Sequence, residues 1–170
     1  MQILCPFDNI LDQYSKIYSK DIQAGFDLLE WAVDLVLPKE DLLGDSRHIN
    51  GLKAYRDFKE GKVSLEDLKQ ITQDVWNTVQ CLIAYRDEVE DGYDLYNNAL
   101  PLRYIIDSKA DAVRACHRLL KACINNKENQ NCDVFFIAGM RDTLKVFCMF
   151  TDKIEKKVQE KYNEMFAEEN

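Results

Sequence analysis

Apolar residues recur along the chain every three or four positions, the spacing that lines side chains along one face of an α-helix. Asp8 to Lys20 carries Ile10, Leu11, Tyr14, Ile17 and Tyr18 in that register, and Asp21 to Leu37 continues with Ile22, Phe26, Leu29, Val33 and Val36. Pro38 ends this second stripe, because its ring excludes the helical conformation from the residue before it, and 38–45 reads as a loop. Ser46 is placed to cap a short helix holding Ile49, Leu52, Tyr55 and Phe58, which closes at Gly61. Ser64-Leu-Glu-Asp67 is a capping box, in which the serine oxygen takes an orphan amide and the acid reaches back. Behind it Leu65, Leu68, Ile71, Val75, Val79 and Leu82 form a stripe of about five turns, with Trp76 and Ile83 beside it. Ser108-Lys-Ala-Asp111 repeats the capping signal ahead of Val113, Cys116, Leu119, Leu120 and Cys123. Asn125 to Cys132 is a polar connector. Val134 to Phe150 is apolar on most faces, which predicts a central helix wrapped by the others. A last amphipathic helix carries Ile154, Val158, Tyr162 and Phe166.

This pattern predicts an all-α, single-domain bundle of six to seven helices spanning residues 1–170. Two short apolar runs, Asp133 to Gly139 and Leu100 to Ile106, also fit a buried strand, since periodicity does not type a short run. A small α/β fold is therefore the alternative.

Composition supports a packed domain. Of 170 residues 46% are hydrophobic, with 8 Phe, 8 Tyr and 2 Trp, which excludes global disorder. The chain has 30 acidic and 22 basic residues, a formal net charge of −8, which disfavours nucleic acid or an anionic membrane as its main partner. No run reaches the roughly 18 uninterrupted apolar residues of a membrane span. The richest, Val134 to Phe150, is broken by Arg141, Asp142 and Lys145. Met1 to Asp8 has neither a basic segment nor a long apolar core, so no signal peptide is expected. The six cysteines are expected to be free thiols of a cytoplasmic protein, because a chain of this length does not need disulfide staples.

The search for catalytic chemistry yields little. A structural zinc site wants close Cys pairs, whereas Cys116, Cys123, Cys132 and Cys148 are widely spaced and His117 points about 100° away from Cys116. Small buried side chains on an apolar stripe account for these cysteines more simply. Asp87 to Asp94 places Gly92 like the glycine of an EF-hand, but Val89 and Asn98 fall where that loop needs a liganding oxygen and a bidentate Glu. Asp45-Ser-Arg-His48 gathers catalytic residue types, yet neighbours on a helix point apart and a capping serine explains the segment. His117 reads as a partly buried helix residue. No phosphate loop, nucleophile elbow or zinc-protease motif is present. The expectation is a protein without catalytic residues, cofactor or metal. An enzyme built on a carboxylate or Cys/His centre is the minor alternative.

Counting charge by segment changes the picture. Residues 1–60 carry 11 acidic and 7 basic side chains, residues 61–107 carry 9 and 4, and residues 108–170 carry 10 and 11. The deficit lies in the first 107 residues and is densest where Tyr85, Asp87, Glu88, Glu90, Asp91, Tyr93, Asp94 and Tyr96 fall together, with Tyr104 and Asp107 further on. A solvated helix end and turn would have this composition. A protein-binding face would have it too, since tyrosine gives contact area at low entropic cost and carboxylates steer a basic partner.

In general build, together with the helix start Gly61-Lys-Val-Ser-Leu-Glu-Asp-Leu68 and the alanine-spaced Ala110-Asp-Ala-Val-Arg-Ala115, the chain resembles the helical immunity proteins of bacterial polymorphic-toxin and contact-dependent inhibition systems. The resemblance implies a cytosolic, catalytically empty protein that neutralises one cognate toxin, and a basic nuclease suits the acidic segment. A phage-type inhibitor of a host nucleic-acid-binding complex has the same features. A helical adaptor or regulatory subunit is the other reading, acting as a homodimer with Ile154, Val158, Tyr162 and Phe166 as its seam. The expected state is a monomer or weak homodimer.

Overall fold

The computed structural model describes residues 8–89, 102–147, 160, 161, 163 and 164. They form an all-α bundle of six helices: α1 (Asp8–Lys20), α2 (Ile22–Val36), α3 (Arg47–Lys59), α4 (Leu65–Glu88), α5 (Leu102–Lys127) and α6 (Asp133–Phe147). The described residues of 133–139 and 100–106 are helical, so the strand alternative is excluded there. Of the last amphipathic stripe, Ile154, Val158, Tyr162 and Phe166 lie outside the described residues.

The boundaries follow from local chemistry. Asp21 caps α2, its carboxylate accepting from the amides of Gln23 at 3.1 Å and Ala24 at 3.4 Å. Ser64 caps α4 by accepting from the Asp67 amide at 3.1 Å. The Asp67 carboxylate does not return the bond to the Ser64 amide, so half of the expected box forms. At α3 the expectation fails: Ser46 makes no capping bond, because its backbone (φ −112°, ψ 14°) leaves the extended geometry that presents a capping hydroxyl. Asp45 acts instead, accepting from the Arg47 amide at 2.7 Å. Gly61, at φ +76°, turns the chain out of α3 in a left-handed conformation that favours glycine.

The second capping signal also fails. Ser108 lies inside α5 with 8% exposure, and the helix starts six residues earlier, at Leu102. Ile106 extends the Ala110–Val113 stripe upstream, and burying that longer stripe outweighs the local signal. The centre of the bundle is likewise α5 and not α6. Helix α5 packs against α4 on one side and α6 on the other, with α2 and α3 also against it. Twelve of its residues are buried, among them Ala110, Ala112, Ala115 and Ala122, whose small side chains admit neighbours from several directions. Helix α6 is more apolar but packs against fewer helices, α5, α2 and α1, and Val134 at its start is 73% exposed.

Two close approaches fix the packing. A Cβ on Gly51 of α3 would lie 2.5 Å from Val75 Cγ2 of α4 and 3.4 Å from Cys116 Sγ of α5. A Cβ on Gly25 of α2 would lie 2.5 Å from Tyr18 Cβ of α1. Tyr14, Tyr18, Phe26 and Phe136 interlock across α1, α2 and α6 with centroids 4.8 to 6.1 Å apart. The buried Tyr14 hydroxyl donates to the Gly25 carbonyl at 2.8 Å.

Candidate functional site at the α4–α5 end

The sequence-predicted face falls where α4 ends and α5 begins. Helix α4 spans 24 residues and α5 spans 26, so their rise of 1.5 Å per residue carries these ends well along the bundle. Arg86 joins them. Its Nη1 donates to Asp107 Oδ1 at 2.7 Å, while Nε and Nη2 donate to Asp87 Oδ1 at 3.2 and 3.1 Å. These bonds, Asp107 first, raise the pKa of the guanidinium further above its ordinary value. Arg103 Nη2 lies 3.9 Å from Asp87 Oδ1.

Tyr85, Asp87 and Glu88 are exposed at this end, and Tyr85 is 38% exposed. Glu90, Asp91, Tyr93, Asp94 and Tyr96 lie outside the described residues. Three side chains of the first turn of α5 are exposed as well, Leu102 at 48%, Tyr104 at 59% and Ile105 at 38%. Sequence reasoning passed over Leu102 and Ile105, having read their segment as a candidate buried strand. The described part of this end is only mildly acidic, since Asp87, Glu88 and Asp107 share it with Arg86 and Arg103. Arg86 stands in the acidic run itself, but its reach to a carboxylate 21 residues away is a tertiary fact.

The other chemical candidates resolve into packing. Cys116 is fully buried, and burial pushes its thiol up to about 12. Burial, then the neighbouring Cys132, raises Cys123 to about 11. Both share the buried side of α5, as their spacing implies. His117 lies against Trp76 of α4, with centroids 4.9 Å apart and the rings tilted by 41°. Burial, then Arg118 and Lys121, lowers its pKa to about 4, so the ring is neutral at pH 7. His48 is fully buried, with Nε2 3.0 Å from the Glu40 carbonyl oxygen. Neither imidazole ring hydrogen-bonds a hydroxyl or thiol among the described residues, the Cys116 thiol donating instead to the His48 carbonyl at 3.9 Å, and no group of three or more metal-ligating side chains gathers there.

One feature of the α5–α6 interface was hidden in the sequence. Asp142 had stood only as an interruption of an apolar run. Its side chain is 8% exposed, its Oδ2 has no hydrogen-bond partner, and Lys145 Nζ is 4.0 Å from Oδ1. Burial raises this carboxyl to about 6 against the opposing pull of Arg114, and the nearby Asp111 reinforces the rise. Arg114 Nη1 donates to Asp111 at 2.8 Å, leaving Asp142 without a strong partner.

No described helix is long and apolar enough to cross a membrane. No protein-family model, curated protein or solved structure matches the chain.

Proposed function

We propose that this protein is a non-enzymatic binding protein of the immunity kind, which neutralises a basic toxin by docking it on the α4–α5 end. The observation that carries the reading is the concentration of exposed large apolar side chains there. Tyr85, Leu102, Tyr104 and Ile105 are four of the eight such residues recorded for the described chain. Exposed apolar side chains with aromatic members and carboxylates near them are the composition of a protein-docking surface. Asp87 and Glu88 supply carboxylates at its edge, and Arg86 holds the two helix ends together beneath it. A basic partner would meet the carboxylates during approach and the tyrosines at contact.

The test is co-expression with the product of the reading frame immediately upstream, followed by calorimetric titration of the purified pair. The expected result is rescue of growth and a saturable complex, with the Tyr85→Asp, Tyr104→Asp double variant at least about 100-fold weaker. Both positions are exposed, so the variant should keep the wild-type unfolding midpoint. No complex with that product, or equal affinity in the double variant, would overturn the proposal.

A further inference from the structure

A second feature, separate from the α4–α5 end, is a cleft of about 440 Å³ where α2, α3, the α3–α4 turn and the last turns of α5 meet. That volume lies in the range of small-molecule sites. Phe26, Tyr55 and Cys123, all buried, contribute to its floor, while Phe58 and Val63 wall it. Lys59 and Lys127 stand with the polar residues of its lining. The two lysines differ. Lys59 Nζ bonds Glu30 Oε1 at 2.6 Å and sits 4.8 Å above the Tyr55 ring, so its charge is already answered. Lys127 is exposed and has no side-chain partner among the described residues, although it stands beside an apolar surface.

Tyr55 gives an independent sign. Its residue is 1% exposed and lines the cleft, and its hydroxyl has no hydrogen-bond partner among the described residues but is not sealed from water. Burial, then the charge of Glu30, raises the phenol well above its ordinary value, so it stays a donor. An ammonium and a phenol are both donors, and a carboxylate is an acceptor that suits both.

We propose that this cleft binds a small monocarboxylate with an unbranched or flat apolar tail, its charge held by Lys127 and its tail on Phe26, Phe58 and Cys123. Lys59 is held by Glu30, which Arg56 shares, so Lys127 is the one lysine of the lining without a partner among the described residues, which fits a monoanion.

The experiment titrates octanoate into the isotopically labelled full chain, with octanol as a neutral probe of equal length. Octanoate should shift the amides of Phe58, Val63, Asn126 and Lys127 saturably and bind at least about tenfold more tightly than octanol. Lys127→Glu should weaken octanoate about tenfold, leave octanol unchanged and lower the unfolding midpoint by no more than about 4 °C, the effect of an acid in the last turn of α5. Failure of octanoate to saturate these shifts at millimolar concentration would overturn the proposal. So would equal octanoate affinity in wild type and Lys127→Glu, or equal affinity for the two probes.

Discussion

Replacing Asp142 by Asn should stabilise the protein above pH 6 and have little effect below pH 4. The carboxyl is nearly excluded from water, one oxygen has no partner, and its pKa stands at about 6 against an ordinary 3.8. At 1.36 kcal/mol per pKa unit, that difference is a penalty of about 3 kcal/mol on the charged form in the native state. The groups around it are Arg114, Asp111 and Arg118 on α5 and Lys145 on α6. The folded pKa is raised above the unfolded one, so the native state keeps a proton that the unfolded chain has released. The favourable contribution is complete below pH 4 and is lost as pH rises through about 6. Asn is neutral throughout, and the value near 6 already includes the attraction of Arg114 and Lys145, so the expected gain is about 2–3 kcal/mol at pH 7.5. For a chain of this size that is roughly 4–12 °C in Tm. Urea unfolding followed by circular dichroism at half-unit steps from pH 4 to 8 gives wild type and variant side by side, and their difference removes every other titrating group. The difference should open between pH 4 and 6 and level off above 7. A difference independent of pH, or a variant less stable than wild type at pH 7.5, would refute the reasoning.

Three further outcomes follow from packing and burial. Gly51→Ala should cost about 1–3 kcal/mol in urea unfolding, because the new methyl meets Val75 Cγ2 at 2.5 Å and its gain in helix propensity is only about 1 kcal/mol; an unchanged midpoint would contradict that contact. Tyr14→Phe keeps the aromatic cluster but removes the hydroxyl's bond to the Gly25 carbonyl, which keeps its place in the α2 ladder, for an expected loss of about 1 kcal/mol with no change in near-ultraviolet dichroism from the other rings. Peptide mapping after brief native alkylation at pH 8 should find Cys81 modified and Cys116 intact, since the first is exposed and the second fully buried with its thiol near 12. Rapid modification of both would mean that α5 opens readily.

What the sequence made legible was what local rules control. The stripe from Ile10 to Tyr18 marked α1 from Asp8 to Lys20, and Pro38 marked the end of α2 because its ring acts on its own neighbour. Ser64 was readable for the same reason, its bond spanning three residues. The errors came where distant contacts decide. Ser108 has the local credentials of a cap, yet burying Ile106 with the Ala110–Val113 stripe draws it into the middle of α5. Mean apolarity pointed to α6 as the centre, whereas centrality went to α5, whose alanines let helices close in from several sides. At the candidate site, Tyr85, Asp87 and Glu88 were legible as a cluster. Their ties to Asp107 and Arg103 were not, because those depend on how α5 lies beside α4.

Net charge is a poor guide to the local field in this fold, and the reason bears on how the proposed docking face would work. Many carboxylates are spent on nearby cations. Glu30 faces Arg56 and Lys59, Asp57 faces Lys53, Asp34 faces Lys39, and Asp87 and Asp107 share Arg86. Exposed pairs of this kind add little to stability, but each shortens the reach of its charge, and salt shortens it further. Among the described residues, the α4–α5 end therefore presents a weak negative charge beside exposed apolar side chains. Affinity would then reside mainly in Tyr85, Leu102, Tyr104 and Ile105, and the carboxylates would act chiefly on the rate of encounter. The two contributions separate kinetically. Removing the Tyr104 ring should speed dissociation with little change in association, while reversing Glu88 should slow association, more at low salt than at high. If Tyr104 governed association and Glu88 governed dissociation, contact at this end would depend on charge, and the pairing by Arg86 would have to break when the partner binds.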